Sequence, residues 1–186
     1  MKKPIYKYPD FVTKVDLKCV AGKRYWLNLK IDDTKKERII VILKNPSRAD
    51  KTISDKTVFN VSNYIYRNRN KHQEFKNIGE ITILNLIPNY MTDSRGLIEF
   101  KETIIDKENF QTIKKFCSRD KKVIIAWGNH PRRLYKEYEE LKKLTNKILV
   151  ENNNQVFFVN RLTKDGNPTH GQVWGYKNHL KKYTKL

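Results

Sequence analysis

The sequence predicts an α/β fold: a three-layer α/β/α arrangement around a central, mostly parallel four-stranded sheet. Two observations predict it. Four short, dense apolar segments recur along the chain, at Ile39–Leu43, Ile81–Ile87, Val123–Trp127 and Gln155–Asn160. Between them the apolar residues change to helical spacing, the alternation that gives strands joined by crossover helices.

The first element is a half-buried strand over 24–31, where Tyr25, Leu27, Leu29 and Ile31 alternate with Trp26, Asn28 and Lys30. The polar run Asp32–Lys36 turns the chain into Ile39-Ile40-Val41-Ile42-Leu43, a β-branched block suited to burial on both faces. Asn45-Pro46-Ser47 ends that strand. Ser54-Asp55 caps a helix with Val58, Val61 and Ile65 on one face. The second buried strand stops at Pro88. Asp106 opens a helix with Phe110, Ile113 and Cys117 inward, and Gly128 closes the third strand. Pro131 suits the first turn of a helix carrying Leu134, Tyr138, Leu141 and Ile148. A long polar loop and a short basic helix over 174–182 follow the fourth strand. No repeat or linker divides the chain, so 1–186 reads as one domain, with 1–23 an N-terminal extension packed on the body.

Composition narrows the function. The chain has 39 Lys and Arg against 20 Asp and Glu, a net charge of +19. Such a field attracts polyanions, and without an amphipathic membrane segment it points to nucleic acid. The apolar blocks are too short to span a bilayer, and Pro4, Lys7, Pro9 and Asp10 interrupt any signal-peptide core. A cytoplasmic, monomeric protein with no membrane partner is expected. Cys19 and Cys117 stand far apart and lack a paired cysteine motif, so they read as reduced thiols, and no metal or cofactor is expected.

In open parallel sheets, ligands bind beyond the carboxyl ends of the strands. Those ends here are Asn45-Pro46-Ser47, Asn85, Gly128-Asn129-His130 and the loop with Asn167-Pro168-Thr169-His170. Asn and His gather at one rim. There is no Walker loop, no H-E-x-x-H, no G-x-G-x-x-G, and Ser47 lacks the glycines of a nucleophile elbow.

The segments Ile39–Ser47, Ile83-Leu84-Asn85 and Ile124–His130, followed by the loop bearing His170, resemble in order the strand ends of the uracil-DNA glycosylase superfamily. Asn45-Pro46-Ser47-Arg48-Ala49-Asp50 with Asp55-Lys56-Thr57 is also similar to an uncharacterised bacterial and phage family with an N-P-S-x-A-D…D-x-T signature. The likeness covers residues 24 to 180. It implies a uracil-DNA-glycosylase-like fold and a DNA glycosylase that flips out a damaged or modified pyrimidine, hydrolyses its N-glycosidic bond and leaves an abasic site, in DNA repair or phage defence. By the same resemblance Asn45 holds the attacking water, His170 hydrogen-bonds the departing base, and Asp50 or Asp55 assists. Asn85 reads the pyrimidine edge, Pro46, Gly128 and Asn129 line the substrate site, and Trp174 or Val173 wedges into the duplex. Ser47 stands where uracil-specific enzymes carry a tyrosine beside C5, which implies room for C5-substituted pyrimidines. The chain departs from the superfamily in having Gly171, not proline, after His170.

Each residue also has an ordinary role open to it. Asn45 suits a turn before proline, Asn85 a strand end, Asp50 and Asp55 a loop and a helix cap, and Trp174 the core. Two other functions stay open: a non-catalytic nucleic-acid-binding protein on the same fold, and a hydrolase of free nucleosides or nucleotides.

Overall fold

The computed structural model describes residues 5–185. The fold is α/β, with one mixed sheet of seven strands in the order β1-β2-β4-β3-β5-β6-β7. They are β1 Lys14–Val20, β2 Lys23–Lys30, β3 Glu37–Leu43, β4 Ile78–Asn85, β5 Lys122–Ile125, β6 Gln155–Val159 and β7 Leu180–Lys182. The helices are α1 Lys56–Arg67, α2 Lys107–Phe116 and α3 Tyr135–Glu151.

The expected four-stranded sheet is therefore corrected to seven strands. The four apolar blocks do pair parallel in the centre, β3 with β4 and β5, and β5 with β6. Antiparallel strands extend both sides: β2 on β4, β1 on β2, and β7 on β6. The edge strands escaped the sequence reading because they are charged. In β1, Lys14, Asp16 and Lys18 are exposed, so it lacks an apolar block. Residues 14–23 are thus part of the sheet rather than a packed extension. Ahead of them, the Ser54 amide donates to the Tyr6 carbonyl at 2.8 Å, and Phe11 stacks on Tyr66 at 3.8 Å. Residues 1–4 lie outside the described residues.

Alternation across the central strands sorts the core. Ile39, Val41 and Leu43 join Val58, Val61, Tyr64 and Ile65 of α1 on one face. Ile40, Ile42 and Leu84 join Ile113 of α2 and Tyr138, Leu141 and Leu149 of α3 on the other. The period of two in the strands and near 3.6 in the helices makes these faces continuous. Asp55 caps α1 through the Val58 amide at 2.9 Å, and Asp106 caps α2 through the Asn109 amide at 2.8 Å.

Two helix expectations are corrected. The third helix begins at Tyr135 rather than at Pro131, because Arg133 takes a left-handed φ of 64° that a helix cannot contain. The basic segment over 174–182 is no helix. Gly175 and Asn178 close a turn, with the Gly175 amide on the Asn178 Oδ1 at 2.6 Å, and the chain then pairs as β7. Of the two thiols, Cys19 is exposed, whereas Cys117 is buried and its pKa is pushed up to about 12 by burial. Among the described residues, no helix is long and apolar enough to cross a membrane.

Candidate functional site

β3 is buried to its last residue, and the chain leaving it becomes half-buried at Lys44 and Asn45 before Pro46 turns back inside. The segment after β4 runs alongside: the Leu86 amide donates to the Leu43 carbonyl, and the Met91 amide to Pro46, both at 2.9 Å. These two segments, the first turn of α1 and the loop at 170–173 enclose a cleft of about 520 Å³. Asn45, Ser47, Asp55 and His170 line it, together with Lys44, Arg48, Lys56 and Thr57. The rim expected from the strand ends therefore exists, but only some of its members converge.

Asn45 is held by its amide nitrogen, which donates to the carbonyls of Pro46 at 2.8 Å and Met91 at 2.7 Å. Two carbonyl acceptors fix the orientation of the amide group, so Oδ1 remains as an acceptor. Asp55 is buried and spends Oδ1 on the α1 cap, while Oδ2 receives long contacts of 3.4 Å from the Arg48 and Ala49 amides. Among the described residues that line the cleft, it is the sole carboxylate.

His170 sits at the start of a 3-10 turn, Gly171–Val173. Its Nδ1 accepts from the Gln172 amide at 3.3 Å, so in the neutral ring the proton lies on Nε2, which becomes a donor. Burial, with the Lys44 charge adding to it and Asp55 opposing, drives the His170 pKa down to about 4. The ring is therefore neutral at physiological pH.

Two glycines set this loop. A Cβ at Gly171 would lie 2.6 Å from Val61 Cγ2 and 3.2 Å from Leu43 Cδ2, so the 3-10 turn packs on α1 only without a side chain. This close approach accounts for glycine after the histidine. Gly128 takes a φ of 66°, donates its amide to the Pro168 carbonyl at 3.0 Å, and leaves its missing Cβ 3.2 Å from the His170 Cβ. Asn60 Nδ2 fastens the turn from α1 by donating to the Gln172 carbonyl at 2.6 Å.

Other expected residues lie elsewhere. Asp50 does not line the cleft. Its Oδ1 accepts from the Thr52 amide and hydroxyl and the Ile53 amide at 2.7 to 2.9 Å. Burial opposes the charge on Asp50, but these hydrogen bonds outweigh it and lower the pKa. Asn129 is likewise consumed, donating to Asp165 at 2.6 Å and accepting from Thr163 at 2.6 Å and Asn167 at 3.2 Å. Trp174 is corrected from wedge to core: it is buried, meets Tyr64 edge-on at 5.2 Å, and donates Nε1 to the Thr169 carbonyl at 3.3 Å. Its neighbour Val173 is 64% exposed and lines the cleft.

Pro46 is buried, and its carbonyl accepts from Asn45 Nδ2 and the Met91 amide. Asn85 is fully buried at the end of β4, and neither side-chain atom has a hydrogen-bond partner among the described residues. Such an amide is rare unless something polar engages it. Strand register pairs it with Leu43, but Asn85 is not part of the cleft wall.

Sequence reasoning missed Lys44, Arg48, Lys56, Thr57, Thr92, Ser94 and Gln172 as lining residues. For Lys44 a signal was present: a cation placed directly after five buried strand residues at a carboxyl end. A larger cleft, of about 680 Å³, lies along α3. It lacks Asn45, Asp55 and His170, and two of its lysines are already paired, Lys142 with Glu139 and Lys147 with Glu151.

A family model matches residues 24–171, from β2 to the start of the histidine turn. The chain belongs to the family described as "Protein of unknown function (DUF1643)". The DUF1643 match contains every cleft segment except Tyr6, Gln172 and Val173. No curated protein matches the chain, and no solved structure does.

The depressed His170 pKa has a thermodynamic consequence. An unfolded chain protonates this side chain near pH 6.5, the folded chain only near 4. Stability from this group is complete above pH 6.5 and falls as the pH drops through that window, by about 3 kcal/mol in all. Urea unfolding of wild type and His170→Gln at pH 7 and pH 4.5 measures it: the wild type should lose more stability between the two than the variant.

Proposed function

We propose that the protein is a DNA glycosylase that hydrolyses the N-glycosidic bond of an extruded pyrimidine and leaves an abasic site. The observation that carries this reading is the meeting, in one strand-end cleft, of a neutral His170, the fixed amide of Asn45 and the Asp55 carboxylate. N-glycosidic cleavage develops positive charge on the sugar and negative charge on the base. A carboxylate favours the first and an N–H donor the second.

In the proposed reaction, Nε2–H of His170 donates to the departing base. A preorganised donor of this kind is worth about 3 kcal/mol in the transition state. Oδ1 of Asn45 holds the water that captures the sugar, and the proton of that water passes to Asp55. Extrusion of the nucleotide costs a few kcal/mol, which pocket contacts and phosphate contacts offset. The net charge of +19 supports nucleic acid over a free nucleoside, which needs only a local basic pocket. The reaction as written uses no metal or cofactor. In this reading the protein works as a monomer in the cytoplasm, in repair or in defence against phage genomes with modified bases.

Oligonucleotides that each carry one unusual base, followed by alkaline cleavage, test the proposal. At least one should acquire alkali-labile sites. Asn45→Ala and His170→Ala should each slow release by about 10²–10³-fold while DNA binding persists. Tight binding with no release from any oligonucleotide would favour the non-catalytic nucleic-acid-binding alternative.

Ser47 lines the cleft with a small hydroxyl side chain, which supports access for pyrimidines substituted at C5. Ser47→Tyr should abolish release of 5-hydroxymethyluracil and spare release of uracil, read by competition between the two oligonucleotides. An unchanged ratio would remove Ser47 from the base pocket.

A further inference from the structure

Lys44 is a cleft residue to which the reaction above gives no task. It is half-buried, directly precedes Asn45, and lines the same cleft as His170 and Asp55. Among the described residues no carboxylate forms an ion pair with it, although eleven such pairs occur elsewhere in the fold. A lysine withdrawn from water without a counter-ion is poorly placed for a structural role.

We propose that Lys44 is a nucleophilic amine that forms an imine with the aldehyde of an abasic site, giving the protein a strand-cleaving lyase activity. The proposal rests on the DNA reading of the cleft, but it concerns a separate reaction. Burial lowers the Lys44 pKa, which increases the share of free amine at neutral pH, the form that attacks carbonyls. The same cleft supplies an acid–base pair in His170 and Asp55, which imine chemistry needs for its proton transfers.

The chemistry balances without a further reactant. Nζ of neutral Lys44 adds to C1′ of the ring-opened sugar, and the carbinolamine loses water to give an iminium. A proton leaves C2′ for the Asp55 carboxylate, and the resulting electron pair expels the 3′ phosphate by breaking the C3′–O bond. Water then hydrolyses the imine. The upstream fragment departs with an unsaturated aldehyde, the downstream fragment keeps a 5′ phosphate, and Lys44 regains its free amine. Arginine in this position would keep the positive charge and the ability to contact phosphate, but it could not form the imine.

The experiment uses the full chain and a duplex with a preformed abasic site, so it does not depend on base release. Sodium borohydride is added to reduce the iminium to a stable secondary amine, and the product is read on a denaturing gel and by peptide mapping. Wild type should give a covalent adduct that maps to Lys44. Lys44→Arg should reduce that adduct at least ten-fold while binding abasic DNA within a few-fold of wild type. Lys143→Arg, on α3 and not part of this cleft, should trap as wild type does and so gauges background from surface lysines. Equal trapping by Lys44→Arg, or an adduct mapping to other lysines, would overturn the proposal. So would a wild-type yield no higher than that of the urea-unfolded chain. A positive trap with no release from any unusual base would leave Lys44 as imine-forming and remove the glycosylase reading, so the two failures are distinguishable.

Discussion

The burial of β3 on both faces is the constraint on which the rest of the molecule depends. Ile39, Ile40, Val41, Ile42 and Leu43 are five consecutive residues with at most 2% exposure. Each such side chain contributes about 1.5–3 kcal/mol on leaving water. A strand can bury both faces only if helices cover both, so this one segment demands α1 on one side and α2 and α3 on the other. Its backbone groups must then be paired along both edges, and β4 and β5 do that in parallel. Parallel neighbours bring their carboxyl ends to the same edge of the sheet. A polar rim follows from burial of an apolar strand, before any residue of the rim is chosen for chemistry.

The cleft inherits its geometry from that strand. Leu43 contacts the position where a Cβ on Gly171 would stand, and its carbonyl receives the Leu86 amide. His170 and the segment leading to Met91 are therefore both referenced to the last residue of β3. Asn45 closes the arrangement from within, one amide nitrogen tying Pro46 to Met91. The cost of this enclosure falls on titratable groups. His170 gives up its proton and Lys44 holds its charge less firmly, so burial weakens the positive charge of both nitrogen groups beside the Asp55 carboxylate.

Much of the sheet was legible because both-face burial leaves an unbroken apolar signature, and β2 to β6 all carry apolar blocks or strict alternation. The caps at Asp55 and Asp106 were equally readable, since a short carboxylate before an amphipathic run satisfies the free amides of a first turn. The edges were not. The charges of β1 face solvent, and β7 is three residues long, its basic neighbours imitating a helical face. Of the rim residues picked out by type and position, Asn45, Ser47, Asp55 and His170 line the cleft, whereas Asp50, Asn129 and Trp174 do not. Asp50 is consumed within its own loop, Asn129 by the loop after β6, and Trp174 in the core. Such local consumption depends on turn geometry, which composition does not encode.

The proposed ligand site is the cleft at the end of β3, not the larger one along α3. Amide chemical-shift mapping of isotope-labelled protein, titrated with a short duplex bearing a non-cleavable abasic analogue, tests it most directly. Perturbations should concentrate at residues 44–48, 55–57, 91–94 and 170–173. Perturbations centred on Trp127, Lys142 to Lys147 and Tyr183, with the β3 end unmoved, would contradict it.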